Sequence, residues 1–259
     1  MESGLEIQKF ETGHSNYINS ICFSPDGNQF VSGSDDKTII LWDLNNSLKV
    51  VQWNLHQHYV NSVNYSNCGK KIVSGSHDKS IIIWDVENNV EIMKITGHQS
   101  WVLCVKFDLT DEHIISGSDD KSLKIWSVST GLLIHTLEGH TRVVISLTLS
   151  PDNKTIASCS EDTTIRLWDF SSGKQIKVLN GHDDHVRSVS FTKDGSKIIS
   201  CSGDETVRIW NLTNGQEIKK LVGHSDWVNS VSFCPKSEKV VSCSSDYTVR
   251  IWDVVCEKI

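Results

Sequence analysis

The sequence has little of what marks membrane, secreted or nucleic-acid-binding proteins. Its 259 residues carry 25 lysines and arginines against 32 aspartates and glutamates, which gives a formal net charge of -7. This balance disfavours nucleic acid as a ligand, because binding to phosphate requires a basic surface. No apolar run approaches the roughly 20 residues of a membrane helix. The first residues, Met1 to Glu6, have neither the basic nor the apolar segment of a secretory signal, so we expect none.

Proline and paired cysteines are also scarce. There are three prolines, and the eight cysteines (22, 68, 104, 159, 201, 234, 243 and 256) form no close C-x-x-C pair. Most of them lie among β-branched residues, which predicts reduced thiols in a core. The histidines at 58, 77, 113, 135 and 185 have no metal-ligand spacing. The sequence therefore predicts no bound metal and no cofactor.

What the sequence does contain is a repeat of 42 residues without insertion or deletion. Three residue types recur in one phase: Trp42, Trp84, Trp126, Trp168, Trp210 and Trp252; His14, His56, His98, His140, His182 and His224; Asp36, Asp78, Asp120, Asp162, Asp204 and Asp246. We expect residues 1–259 to form a single domain of six copies, at approximately 5–46, 47–88, 89–130, 131–172, 173–214 and 215–256.

Each copy has the pattern of four β-strands joined by turns. In the first copy the strands are expected near Ile18–Phe23, Gln29–Ser34, Thr38–Trp42 and Lys49–Trp53, with turn residues between them. The second strand carries apolar or small residues on both faces, as at Phe30 and Val31. Such a sheet must be covered on both sides, and no segment with a helical period exists to cover it. The neighbouring copies must do so, which predicts sheets stacked side by side.

The motif within each copy resembles the WD-repeat family of β-propellers. Gly13-His14 is followed 28 residues later by Trp42-Asp43, and the pair of motifs recurs through nearly the whole chain. The departures are Leu55-His56 in place of Gly-His, and Trp126-Ser127 and Trp210-Asn211 in place of Trp-Asp. The resemblance implies an all-β propeller of six four-stranded blades.

The two ends of the chain suggest how such a ring closes. Residues 5–10 read as an outer strand without a blade of their own, and only seven residues follow Trp252, too few for that strand. We therefore expect the N-terminal strand to pair with the last blade and to close a six-bladed ring, which removes exposed sheet edges. The alternative is a truncated seven-bladed propeller, since most family members are believed to have seven blades.

Every copy contains Ser, His and Asp, which admits two interpretations. One is a hydrolase with a catalytic triad, and the other is a buried hydrogen-bond network repeated once per blade. Six copies, each with a Trp, favour the network. The resemblance implies that Asp and Ser hold the imidazole and that Ser meets the Trp indole. Serine stands at two positions per copy, and the resemblance assigns the first to the network while the spacing leaves both open: Ser32, Ser74, Ser116, Ser158, Ser200 and Ser242, or Ser34, Ser76, Ser118, Ser160, Ser202 and Ser244.

Function is expected where the copies differ. Three residues after the repeated His stand Tyr17, Tyr59, Trp101, Val143, His185 and Trp227, and just before the repeated Asp stand Asp35, His77, Asp119, Glu161, Gly203 and Ser245. In similar propellers these positions surround the mouth of the central channel and contact partners. The nearby loops add Asp183, Asp184 and Asp226, with Arg142 and Arg187 on one side.

Two interpretations of this variable rim remain open. Aromatic faces beside carboxylates suit a basic peptide side chain, whereas the same aromatics could simply plug the inner end of each blade. A second asymmetry places Ile40 and Ile82 where later copies carry Arg166, Arg208 and Arg250. It reflects either shared ancestry or a second contact surface, with Trp53 as a further candidate.

Together these patterns predict a non-catalytic scaffold or adaptor that binds other proteins or peptides. We expect a monomeric propeller within a hetero-complex, in the cytoplasm or nucleus, without membrane or nucleic-acid binding. The alternative, a propeller hydrolase with a site in the channel, requires a polar cluster present once rather than six times. No such cluster stands out in the sequence.

Overall fold

The computed structural model describes residues 9–10, 13–46, 48–234 and 238–254. These residues form 23 β-strands and no helix, arranged as six antiparallel sheets of three or four strands. The sheets match the six copies of the 42-residue repeat, as the sequence predicts. The chain divides into two compact units, residues 1–111 and 112–259.

The first unit contains two complete four-stranded sheets and one further strand, β9 (Val102–Phe107). Within each sheet the strands pair in chain order with antiparallel neighbours. The first sheet contains β1 (Ile18–Phe23), β2 (Gln29–Ser34), β3 (Ile39–Asp43) and β4 (Leu48–Trp53). The second contains β5 (Val60–Tyr65), β6 (Lys71–Ser76), β7 (Ser80–Asp85) and β8 (Val90–Thr96).

The second unit contains the remaining strands, again paired in chain order. They are β10 (His113–Ser118), β11 (Leu123–Ser127) and β12 (Leu133–Leu137); β13 (Val144–Leu149), β14 (Thr155–Ser160), β15 (Ile165–Asp169) and β16 (Gln175–Leu179); β17 (Val186–Phe191), β18 (Lys197–Ser202), β19 (Thr206–Asn211) and β20 (Glu217–Val222); and β21 (Val228–Cys234), β22 (Lys239–Ser244) and β23 (Val249–Asp253). Over its described residues the last sheet has three strands.

A tight turn after the second strand of each repeat places a non-glycine residue in the left-handed region. In the first repeat this residue is Lys37, with φ of 72°. The preceding Asp36 stabilises the turn, because its Oδ1 accepts a hydrogen bond of 2.9 Å from the backbone N–H of Thr38. The same conformation recurs at Lys79, Lys121, Thr163, Glu205 and Tyr247. The repeated aspartate thus determines the local backbone as well as the network described below.

Apolar side chains join successive sheets within each unit. In the first unit Val31, Ile39 and Leu41 of the first sheet form one buried cluster with Val60 and Val63 of the second. In the second unit the equivalent clusters join the β13–β16 sheet to the β17–β20 sheet, and that sheet to β21–β23. Within each unit these clusters bury the facing sides of neighbouring sheets, as the apolar residues on both faces of the second strand predict.

Glycine in the second strand allows this close approach. A Cβ built at Gly75 would lie 2.7 Å from Val102 Cγ1 and 2.8 Å from Val105 Cγ1. We expect Gly75→Leu to lower the free energy of unfolding by about 1–3 kcal/mol through overpacking. Chemical denaturation measures this loss, and Gly75→Leu with Val102→Ala should recover part of it. An unchanged midpoint for the single variant would contradict the contact.

Two sequence interpretations are corrected by burial. Ile40 and Ile82 are fully buried. Trp53 is also buried, with 6% of its surface exposed, and its ring centroid lies 5.1 Å from that of Trp84. A second contact surface on these residues is wrong, because they belong to the packing within the first unit. Among the cysteines that the structure describes, only Cys159 and Cys201 are buried, so the expectation that most lie in the core is wrong. Cys22, Cys104 and Cys234 are half-buried, Cys68 and Cys243 are exposed, and Cys256 is outside the described residues.

The expected closing strand falls largely outside the described residues. Of residues 5–10, only Lys9 and Phe10 belong to the described chain. Phe10 packs edge-on against Phe30 and Trp42 of the first sheet, with ring centroids 5.2 Å and 5.3 Å apart. Phe10 therefore lies against the first sheet.

Candidate functional site

The two variable positions of each repeat lie side by side at one end of its sheet. In the first repeat the backbone N–H of Asp35 donates a 2.9 Å hydrogen bond to the carbonyl of Tyr17. The same bond joins four other pairs within the units: His77 to Tyr59, Glu161 to Val143, Gly203 to His185 and Ser245 to Trp227. We call this end of each sheet the variable end.

A hydrogen-bond network lies directly beneath the variable end. In the fifth repeat His182 Nδ1 is 2.8 Å from Asp204 Oδ2, and His182 Nε2 is 2.7 Å from Ser200 Oγ. The indole N–H of Trp210 donates to the same Ser200 oxygen at 2.8 Å. Because an ionised aspartate only accepts, Nδ1 carries the proton and Ser200 donates to Nε2. Every hydrogen-bonding group of the imidazole is therefore satisfied while the ring is neutral.

The same contacts recur elsewhere with lengths of 2.7–2.9 Å. They join His14, Asp36, Ser32 and Trp42; His56, Asp78, Ser74 and Trp84; His140, Asp162, Ser158 and Trp168; and His224, Asp246, Ser242 and Trp252. In the third repeat Trp126 donates to Ser116 at 2.8 Å, Asp120 accepts from Ser122, and His98 is buried.

The two serine positions have different partners, which the spacing could not reveal. The second serine of the fifth repeat, Ser202, accepts from the backbone N–H of Asp204 at 3.0 Å. Its hydroxyl donates to the carbonyl of Asp184 at 2.9 Å. It therefore holds the loop that carries the variable residues, whereas Ser200 contacts the imidazole and the indole.

Burial separates these Ser-His-Asp sets from catalytic triads. Ser200 is fully buried, and its oxygen already contacts both Trp210 and His182. A nucleophile must reach a substrate carbonyl, and this hydroxyl has no access to one. The geometry of the set therefore suits a structural network.

The network controls the ionisation of its members. Burial alone would raise the pKa of Asp162, but hydrogen bonds from His140, Thr164 and the backbone of Thr141 outweigh it and hold the pKa well below its usual range. Burial lowers the pKa of His140 despite the neighbouring carboxylate. Both groups therefore favour the neutral imidazole and the ionised aspartate at neutral pH.

Acidification is expected to destabilise the protein in two stages. A histidine with a lowered pKa contributes stability above its unfolded value of 6.5, and that contribution is lost as the pH falls below it. An aspartate with a lowered pKa contributes stability above 3.8, which is lost on further acidification. Calorimetry between about pH 7.5 and pH 3 should give a melting temperature that falls as the pH drops below about 6.5 and falls again below about 3.8. A constant or rising value between pH 7 and pH 4 would contradict the neutral network.

Arginine extends the network in the fifth repeat. Arg208 is buried, and its guanidinium lies 3.2 Å from Asp204, 2.7 Å from Glu217 and 3.6 Å from Asp183. In the sequence, the position of Arg208 stands out only as an asymmetry between early and late copies. Because Arg208 contacts Asp204, it supports the repeated aspartate of the fifth repeat.

In the first unit the variable end is aromatic. Tyr17 is 78% exposed, and Trp101 is 45% exposed. The His77 ring stacks on Trp101 with centroids 4.2 Å apart and lies 5.3 Å from Tyr59. His58, which the sequence interpretation missed, completes this group 4.3 Å from Tyr59.

Asparagines order the same surface in the first unit. The Asn19 amide donates to Asp35 Oδ1 at 2.6 Å and to the Val60 carbonyl at 3.1 Å. The Asn61 amide donates to the Val102 carbonyl at 2.8 Å. Each amide therefore joins one repeat to the next beneath the exposed rings. Asp35, the expected acidic contact, is already engaged by Asn19.

In the second unit the variable end is charged. Arg187 lies over the Trp227 ring, with its guanidinium carbon 5.1 Å from the ring centroid. Trp227 is itself 45% exposed. Gly203 leaves room for these groups, because a Cβ there would lie 2.7 Å from Asp184 Oδ2 and 3.4 Å from Trp227 Nε1. The importance of this glycine was not apparent from the repeat, in which other copies carry larger residues.

The remaining expected contacts lie around this group or at the edge of the unit. His185 Nε2 is 3.8 Å from Asp184, and the exposed Arg142 is 3.8 Å from Glu161. Asp119 is half-buried in the turn after β10. The predicted aromatic and acidic rim is therefore divided: rings dominate in the first unit, and carboxylates with two arginines dominate in the second.

Comparison with known proteins gives one family and several local matches. The family model described as "WD domain, G-beta repeat" matches residues 5–43, 49–85, 89–127, 131–169, 173–211 and 215–253. A segment of 52 residues is 42% identical to the small ribosomal subunit protein RACK1 of Neurospora crassa, over 20% of this chain and 16% of that protein. A segment of 37 residues is 51% identical to the nuclear distribution protein PAC1 of Candida albicans, over 14% of this chain and 8% of that protein.

A third match is to the pre-mRNA-splicing factor PRP46 of Yarrowia lipolytica, 46% identical over 39 residues, which cover 15% of this chain and 9% of that protein. The matched segments thus span only 8–16% of the three relatives. Each match has about the length of one repeat, and none extends over the whole length of a relative.

Proposed function

Because the chain belongs to the WD-repeat family of β-propellers, we propose that it is a scaffold that binds a partner peptide at the variable ends of its sheets. Proteins of this family act generally as protein-interaction scaffolds, and the relatives named above are associated with the ribosome, nuclear distribution and splicing. We further propose that residues 1–259 form one six-bladed domain whose N-terminal strand closes the ring on the last blade.

The observation that carries the proposal is the exposure of Trp101 and Trp227. Each side chain is nearly half exposed, although the repeated Trp is buried in each of the first five repeats. Trp is strongly enriched among the residues that dominate binding energy at interfaces. The rings are also held in place, Trp101 by His77 and Trp227 by Arg187. A rigid, exposed indole loses little conformational entropy when a partner covers it.

The charges suggest the chemistry of the partner. Asp183, Asp184 and Asp226 lie in the loops near Trp227, and the aromatic group of the first unit presents ring faces with little charge. Both features favour a peptide with a basic side chain, which gains cation–π and charge-assisted contacts of about 0.5–2 kcal/mol each. Arg187 already places a positive charge over the Trp227 ring, so we assign the basic side chain of the peptide to the Trp101 group.

No helix in the described part of the chain is long and apolar enough to cross a membrane. By analogy with the ribosomal and splicing relatives, we propose a cytoplasmic or nuclear location and a hetero-complex that contains one copy of the chain.

Affinity capture from the native cell tests the proposal. The wild type is compared with Trp101→Ala/Trp227→Ala, and Val90→Ala/Ile92→Ala on the exposed outer strand β8 is the matched control. We expect partners that co-purify with the wild type and the control and are lost with the Trp variant. Partners that persist with the Trp variant would exclude the variable ends as the binding surface.

A further inference from the structure

Two nucleophilic side chains share one face of strand β9 in the first unit. Side chains two residues apart on a strand point to the same side of the sheet, about 6–7 Å from each other. On β9 this alternation places Cys104 and Lys106 together, on the face opposite to the buried Val105 and Phe107. Cys104 is half-buried and Lys106 is exposed, so a small molecule in solution can reach both.

Lysine is exceptional at this position of the repeat. The other repeats carry small uncharged residues there: Cys22, Asn64, Thr148, Ser190 and Ser232. The first strands of the six repeats contain no aspartate or glutamate. In the part of the chain that the structure describes, no carboxylate forms an ion pair with Lys106. The packing of the repeat therefore does not require an amine here, and no acid neutralises it.

The surroundings of Lys106 favour a nucleophilic amine. Protein atoms surround the side chain, and this desolvation lowers the pKa of Lys106; the nearby thiols of Cys22 and Cys104 offset only part of the shift. A lysine with a lowered pKa carries more free amine at neutral pH than an ordinary surface lysine. The charged form of the same amine favours the thiolate of Cys104, which is the reactive form of cysteine.

The strand arrangement selects Cys104 over Cys22 as the partner of Lys106. Cys104 is on the same strand as the lysine, whereas Cys22 is on β1, and β5 lies between β1 and β9. Asn64 of β5 fills the intervening space, because its Oδ1 accepts a 3.1 Å hydrogen bond from the backbone N–H of Phe107 and its amide donates to Cys22 Sγ at 3.6 Å.

We propose that Cys104 and Lys106 form a self-acylation site that takes an acyl group from a thioester such as acetyl-coenzyme A. The Cys104 thiolate attacks the thioester carbonyl carbon, so that a C–S bond to Cys104 forms, the C–S bond of the donor breaks, and the departing thiolate takes up a proton. The Lys106 amine then attacks the new thioester. A C–N bond forms, the C–S bond to Cys104 breaks, and the proton lost by the amine passes to the Cys104 sulfur. The product is an amide that removes the charge of Lys106.

Peptide mapping by mass spectrometry after incubation with acetyl-coenzyme A tests the site. The chain supplies a matched comparison, because Cys68 and Lys70 have the same spacing in an exposed turn, where no strand holds them on one face. We expect Lys106 to be acetylated at least about tenfold faster than Lys70, because transfer from Cys104 is intramolecular and oriented. Lys106→Arg should accumulate an acetyl thioester on Cys104 that hydroxylamine removes.

Cys104→Ser separates transfer through the thiol from direct attack by the amine. The variant is expected to fold, because serine occupies this position in the other five repeats: Ser20, Ser62, Ser146, Ser188 and Ser230. Acetylation of Lys106 should fall at least about tenfold in this variant, with that of Lys70 unchanged. Cys22→Ser is the matched control and should leave both rates unchanged.

Three results would overturn the proposal. One is equal acetylation of Lys106 and Lys70, and another is an unchanged rate at Lys106 in Cys104→Ser. The third is the absence of a Cys104 thioester in Lys106→Arg. None of these measurements uses the partner peptide or alters Trp101 or Trp227, so failure here is distinguishable from failure of the proposed function.

Discussion

Replacement of Asp204 by alanine is expected to lower the free energy of unfolding by about 3–5 kcal/mol, the cost of breaking a buried charged network. Asp204 accepts hydrogen bonds from His182, from the Thr206 hydroxyl and backbone, and from the backbone of Asp183, and it pairs with Arg208. Its removal leaves the buried imidazole N–H of His182 without its acceptor and takes away one of the carboxylates that pair with Arg208. The turn that the carboxylate stabilises is lost at the same time.

Denaturant unfolding measures this effect, with Asp183→Ala as the matched control. The Asp183 side chain is 81% exposed, and its distance to Arg208 is 3.6 Å. A pair whose carboxylate is this exposed contributes at most about 1 kcal/mol. Equal midpoints for Asp204→Ala and the wild type would contradict the structural role of the network. If Asp183→Ala lowered the free energy of unfolding as much as Asp204→Ala, the stabilising role could not be assigned to Asp204.

Trp101→Ala and Trp227→Ala together are expected to weaken binding of a captured partner by about 100-fold or more. A hot-spot indole contributes about 2 kcal/mol or more when truncated, and 1.4 kcal/mol corresponds to a tenfold change in affinity. Both side chains are nearly half exposed, so their loss creates no internal cavity. The melting temperature should therefore change little.

The single variants distinguish the two groups of residues. Trp101→Ala removes the ring that His77 stacks on, and Trp227→Ala removes the ring beneath Arg187. If the basic side chain of the partner binds near Trp101, raising the salt concentration should weaken wild-type binding more than binding by Trp101→Ala. Equal salt dependence would contradict this assignment of the basic contact.

Much of the fold could be predicted from the sequence because its repeat is strict. Residues that recur every 42 positions establish the number of sheets, and period-two patterns locate their strands near the observed bounds, as for Ile18–Phe23 and Gln29–Ser34. The adjacency of the two variable positions follows from the hairpin that joins these strands. Each of these inferences requires only the positions of the residues along the sequence.

Side-chain contacts across the sheet were less predictable. Spacing places Ser200 and Ser202 on the same strand, but only the structure distinguishes the serine that meets Trp210 from the serine that holds the loop at Asp184. Trp53 also has the pattern of an exposed outer-strand residue, yet its indole donates to the Asn89 carbonyl and packs on Trp84. Its partners are more than 30 positions away, and a periodic pattern does not specify them.

Arg187 illustrates the same limit at the candidate site. Its position in the sequence indicates a positive charge on one side of the rim, and the structure places that charge over Trp227. The pairing joins residues from two neighbouring repeats, because each lies at the same end of its sheet. The assignment of the basic contact to Trp101, where the sequence indicates only the rim as a whole, depends on this geometry.

The most direct test of the account measures partner binding and folding on the same preparations. Wild type, Trp101→Ala/Trp227→Ala and the control Val90→Ala/Ile92→Ala are each melted and then titrated calorimetrically with the captured partner segment. The account predicts three similar melting temperatures, with binding lost only in the Trp variant. Undiminished binding by a fully folded Trp variant would contradict the claim that the variable ends bind the partner.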